Sequence, residues 1–118
     1  MRRTHLLALL LYSLLAVALT WPLVTQITTH VPGSDTWAYD EYTFLWNIWY
    51  FKHALIDQIS TPLYTDLLFF PVGMGLVMYT FNLLAAALAL PLHLAGGNIP
   101  FASNFVNLAS TALAGYGT

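Results

Sequence analysis

The 118 residues are 58% hydrophobic and only 7% charged, with a mean hydropathy of +0.68, far from the roughly one-quarter charged residues of an ordinary soluble domain. The formal net charge of -2 gives no reason to expect a nucleic-acid or acidic partner, and the absence of cysteine excludes disulfides, thiol catalysis and thiolate metal sites. The composition predicts an all-α chain of polytopic transmembrane helices with an external juxtamembrane helical loop.

Leu6 to Val24 carries no charge, and about 19 residues at the helical rise reach about 28 Å, close to the hydrocarbon thickness, so a first transmembrane helix is expected over 6–24. Arg2 and Arg3 precede it and predict a cytoplasmic N-terminus, which places the loop 25–75 on the extracytoplasmic side. Ala16-Val17-Ala18 after an apolar core admits a cleavable signal peptide. The apolar run continues through Leu19, Trp21, Leu23 and Val24, which suits a spanning helix better.

All five acids, Asp35, Asp40, Glu41, Asp57 and Asp66, fall between residues 25 and 70. Pro32-Gly33-Ser34 is a turn signal, and Ser34 or Asp35 can cap the helix that follows. Thr36 to Asp57 lacks Gly and Pro and is crowded with aromatic residues from Trp37 to Phe51, the pattern of a helix at a lipid–water boundary. At about 100° per residue, Asp40, Asn47 and Ala54 share one line of this helix, and Glu41, Ile48 and Lys52 share its neighbour.

Ser60-Thr61-Pro62 ends that helix, and the Pro and Gly of Phe69-Phe70-Pro71-Val72-Gly73-Met74-Gly75 predict a tight re-entry into the bilayer. A second span is expected over 76–94, with Asn82 as a polar group in lipid and Ala85 with Ala89 as a small-residue contact for another helix. After the turn at 96–100 a third span starts near Phe101, its Ser103, Asn107 and Ser110 on one face. It reaches Thr118 without a polar flank, so the chain reads as the N-terminal part of a larger multi-pass protein of a bacterial plasma membrane.

Asp40 and Glu41 are the sharpest chemical feature. A carboxylate beside aromatic rings is partly desolvated and better suited to act as a base toward a hydroxyl. The plainer explanation is two acids in a first helical turn, favoured by the helix dipole. Asp35 suits a cap at least as well as a substrate contact. Lys52 could hold a phosphate or extend its ammonium into lipid headgroups, and His30 and His53 lack metal-ligand spacing. The expected spans contain no ionisable Asp, Glu, Lys or Arg, which argues against a transporter core.

The first helix, Tyr39-Asp40-Glu41-Tyr42, the run Leu45 to Leu55, Thr61-Pro62-Leu63 and Phe69-Phe70-Pro71-Val72-Gly73 together resemble the start of a GT-C glycosyltransferase over residues 5–118. Enzymes of that superfamily, such as protein mannosyltransferases and lipid A arabinosyltransferases, take sugar from a polyprenyl-phosphate carrier. The resemblance implies transfer to an acceptor hydroxyl on a glycan, lipid or protein, on the extracytoplasmic side. It makes Asp40 the base and Glu41 a helper or metal-binding carboxylate; Asp35, Asn47 and Lys52, read from the residues alone, are the candidate substrate contacts. No cofactor is required by the sequence; a divalent cation, Mg or Mn, is one option, with Asp40 and Glu41 as its candidate ligands. Membrane lipid and a lipid-linked sugar are the implied partners, and nucleic acid is not among them. A non-catalytic assembly subunit, lipid-binding scaffold or flippase-like protein is the alternative.

Overall fold

The computed structural model describes residues 2–33, 36 and 39–117. Helix α1 (Arg2–Leu19) leads to a 3₁₀ turn (Leu23–Gln26), and α2 (Tyr39–Lys52) continues into a π-helical turn (His53–Asp57). Two short strands, β1 (Tyr64–Thr65) and β2 (Met74–Gly75), pair antiparallel with Tyr64 opposite Gly75. A 3₁₀ turn (Leu76–Met78), α3 (Leu83–Leu94) and α4 (Ile99–Tyr116) complete the chain order.

The helical character is as the sequence predicts, but the transmembrane architecture is not. No helix among the described residues is long and apolar enough to cross a membrane. That finding overturns the polytopic fold, the multi-pass placement in a bacterial plasma membrane, and the cytoplasmic and extracytoplasmic sides assigned to the N-terminus and to the loop 25–75. The local causes are legible. The expected 6–24 helix stops at Leu19. Thr20 Oγ1 turns back to the Ala16 carbonyl at 2.8 Å, and Pro22, which has no N–H to donate, opens a separate 3₁₀ turn. Of the 18 residues in α1, the first four are Arg2, Arg3, Thr4 and His5, leaving a short apolar remainder.

The expected 76–94 span is interrupted in its first third. Tyr79 is extended, and Asn82 takes the N-cap of α3, its Oδ1 accepting the Ala85 N–H at 3.1 Å. The 12 residues of α3 rise only about 18 Å, so Asn82 is a helix start and not a polar group within a span. In α4, capped by Asn98 through Phe101 N–H at 2.9 Å, Ser103, Asn104 and Asn107 dilute the apolar run. The segment 69–75 is likewise no bilayer re-entry. Residues 69–73 lie in the connection from β1 to β2, with Phe69 and Gly73 in the left-handed region at φ 56° and 71°, and Tyr64 Oη donates to the Val72 carbonyl at 2.7 Å.

The aromatic helix α2 is built into the core. It packs on both α3 and α4, and its inner line of Asn47, Ile48, Phe51 and Ala54 is buried. Ile48 meets Ala89, Ala102 and Val106 in one cluster, while Tyr50, Ala54 and Leu76 form a second, flanked by Trp46, Tyr79 and Phe81. Trp46 and Tyr50 stack at 4.8 Å between ring centroids. The aromatic run therefore fills an interior that small residues on α3 and α4 leave open. On α1, Ala8, Tyr12 and Ala16 face inward, and a Cβ on Gly115 would sit 2.5 Å from a Tyr12 ring carbon, so glycine permits that close helix approach.

One buried polar tie joins the ends of this arrangement. Asn104, fully buried on α4, donates through Nδ2 to the carbonyls of Ile27 at 2.9 Å and His30 at 2.6 Å, while Asn98 Nδ2 reaches the Thr28 carbonyl at 2.6 Å. An Asn104→Ala variant strands two carbonyls and leaves a small void, which should cost about 2 kcal/mol. Thermal or denaturant unfolding followed by circular dichroism measures this; an unchanged midpoint would show that the tie contributes nothing.

Candidate functional site

The floor of the candidate site is laid by α2 and its wall by α4. Two adjoining compartments, of about 60 and 130 Å³, share Phe44, Ser103 and Asn107. The smaller is lined also by Asn47, Ile48, Asn82 and Ala86, and the larger by Val31, Pro32 and Glu41. Ala86 and Ile48 set the apolar base, because alanine at the α2–α3 contact brings the helices close enough to bring polar side chains together. Asn104 positions the opposite lip, since its bonds to Ile27 and His30 hold the segment leading into Val31 and Pro32.

Glu41 stands in the first turn of α2 and is half-buried. Its Oε2 is shielded from solvent and has no hydrogen-bond partner among the described residues. Asn47, two turns along, is 1% exposed. Its Nδ2 donates to the Thr80 carbonyl at 2.9 Å, which fixes the carboxamide and leaves Oδ1 buried and unpartnered. Buried polar atoms are nearly always paired with protein or ordered water, so Glu41 Oε2 and Asn47 Oδ1, like Asn104 Oδ1 behind the lip, are acceptors that a water or a ligand donor would satisfy. Asn82, whose Oδ1 is taken by the Ala85 N–H, retains its amide nitrogen as a donor.

The sequence-derived site residues are thus only partly brought together. Glu41 and Asn47 line the cleft. Asp40 lies on the exposed side of the same helical turn and lines neither compartment. Asp35 lies outside the described residues. Lys52, at the far end of α2, bonds Asp57 at 2.8 and 3.0 Å instead of reaching the cleft. No group of three His, Cys, Asp or Glu residues converges among the described residues. A divalent cation would find one carboxylate and carboxamide oxygens here, a sparse set for a hard cation. Ser103 and Asn107 were legible as a polar stripe. Phe44, which lines both compartments, and Asn104, which positions one lip, carried no signal beyond aromatic crowding and an asparagine in an apolar run.

A second polar group sits where α2 passes into its π-helical turn. There Asp57 holds Lys52 and accepts from His53 Nδ1 at 3.3 Å, and the Trp49 and His53 rings stack at 4.9 Å. The wider π-helical turn lets Lys52 and His53 meet one carboxylate. Comparison with protein-family models, curated proteins and solved structures finds no match to this chain.

The Lys52 hydrogen bond, opposed by some desolvation and helped by His53, lowers the Asp57 pKa below its ordinary value of 3.8. A depressed carboxylate contributes stability that is present above 3.8 and is lost as pH falls through the lower, folded-state value. Carbon-13 NMR of the Asp57 carboxyl should give a midpoint below 3.8, moving up toward that value in Lys52→Ala. An identical midpoint in both proteins would remove Lys52 as the cause.

Proposed function

We propose that the chain supplies the acceptor side of a glycosyltransferase that takes a sugar from a polyprenyl-phosphate donor. The observation that carries this reading is the Glu41 carboxylate, whose Oε2 is buried without a partner at the edge of a cleft lined by carboxamides and a hydroxyl. A hydroxyl donating to Oε2 would satisfy that orphaned acceptor. As the hydroxyl oxygen attacks the anomeric carbon, its proton passes to Glu41, the bond to the lipid phosphate breaks, and inversion follows. Asn47, Asn82, Ser103 and Asn107 would orient neighbouring sugar hydroxyls, holding the attacking oxygen in place. The resemblance of Tyr39-Asp40-Glu41-Tyr42 to an acidic motif of GT-C enzymes supports the same chemistry. Within the pair, burial favours Glu41 as base, with Asp40 adding negative potential from the open side.

A second reading, a non-catalytic assembly subunit or lipid-binding scaffold, is favoured by a different observation. Leu6, Leu7, Leu10 and Leu14 on α1, with Leu84 and Leu88 on α3 and Leu113 on α4, are exposed, and so many exposed leucines on packed helices favour an interaction face.

Transfer of radiolabelled sugar from a polyprenyl-phosphate donor separates the two. Glu41→Gln should lower the rate by about 10²- to 10⁴-fold, the range for loss of a general base, and Asp40→Asn by less. Full activity in Glu41→Gln with loss in Asp40→Asn would move the base to Asp40. Absence of transfer by the folded wild-type protein would leave the assembly reading.

A further inference from the structure

The cleft carries more information about its ligand than a hydroxyl requires. Three buried side-chain oxygens among the described residues lack a partner, and two of them, Glu41 Oε2 and Asn47 Oδ1, belong to residues that line the cleft, the third being Asn104 Oδ1 behind its lip. No lysine or arginine occurs between Arg3 and Lys52 or after Lys52. Arg3 lies on α1, and Lys52 is held by Asp57. No arginine or lysine lines either compartment. A shielded carboxylate oxygen without a counter-charge is costly unless a cation or a donor meets it, and the chain offers no cation of its own at this place.

A phosphate or carboxylate ligand is therefore disfavoured, because it would bring a second negative charge to Glu41 with nothing to neutralise either. A primary ammonium group answers each feature. It supplies three donors and one positive charge, and Phe44, which lines both compartments, is an aromatic neighbour of the kind a cation is drawn to. Asn82, with its amide nitrogen free to donate, and Ser103 suit the hydroxyl oxygens of the same ligand. The combined space fits one small ring and not a chain of them.

We infer that the α2–α3–α4 cleft selects a small polyol bearing a primary ammonium group, an amino sugar, over its neutral counterpart. This deepens the proposed function, since it assigns the amine-bearing unit to the acceptor, and rests on that reading only for the word acceptor. The binding preference itself requires no transfer.

The full chain, dispersed in a nonionic detergent, is titrated calorimetrically with D-glucosamine, D-glucose and N-acetyl-D-glucosamine. Glucosamine should bind at least tenfold more tightly than either neutral sugar, and Glu41→Gln should reduce it to the level of glucose. Equal binding of glucosamine and glucose by the wild-type protein overturns the ammonium preference while leaving the transferase reading to its own assay. Absence of binding by all three sugars overturns the cleft as a sugar site. Should Glu41→Gln fail to keep its helical circular dichroism, the wild-type comparison decides alone. If the preference is unchanged in a folded Glu41→Gln, the ammonium is recognised elsewhere and the inference fails.

Discussion

The arrangement depends on buried carboxamides that bond to backbone carbonyls across long stretches of sequence. Asn104 on α4 reaches back 77 and 74 residues to Ile27 and His30, and Asn47 on α2 reaches forward 33 residues to Thr80. Each carboxamide donates to loop backbone that would otherwise need solvent, and each is itself almost wholly buried. Through Asn104, α4 fixes the segment that ends in Val31 and Pro32. Through Asn47, α2 fixes the linker that ends in the Asn82 cap. Those two segments and the two helices supply much of the cleft lining, so a few polar bonds decide its shape.

These bonds are effective because the helices are close. Ala86, Ala89 and Ala102 are almost completely buried, and Gly115 meets the ring of Tyr12. Small residues bring backbones together and let the side chains between them pair, whereas leucines at the same positions would hold the helices apart. The large aliphatic residues are instead directed outward, on α1 above all. The interior is accordingly made of alanine, aromatic rings and carboxamides around a few buried aliphatic residues, Ile48, Leu76 and Val106. The apolar exterior gives the second functional reading its physical basis.

Much of the helical content was legible in the sequence, since Leu6 to Leu19, Asp40 to Lys52 and the run after Pro100 are helical where expected. What failed was the inference from hydropathy to crossing. Hydropathy counts apolar residues but not the breaks between them, and Pro22 and the extended Tyr79 divide two expected spans. Asn82 illustrates the ambiguity: an asparagine before Leu83-Leu84 can be a polar residue within a span or a cap, and only its bond to Ala85 N–H decides. The site was legible in part. Helical spacing placed Asn47 on the line with the buried Ala54, yet it gave Asp40 the same direction, and Asp40 is exposed because it lies at the helix end. Lys52 was drawn away by Asp57 through a π-helical turn that periodicity at 3.6 residues does not anticipate. The tie from Asn104 to Ile27 and His30 is non-local and leaves no local pattern.

Helices α2 and α4 face one another across the cleft, with Phe44 and Asn107 lining both of its compartments. Because the chain has no cysteine, paired substitutions can be read without background. Phe44→Cys combined with Asn107→Cys should cross-link rapidly with a short bismaleimide. Phe44→Cys combined with Phe105→Cys, which turns toward the α3–α4 groove on another face of α4, should not. Rapid linkage of 44 to 105 with none of 44 to 107 would contradict the cleft and the site built on it.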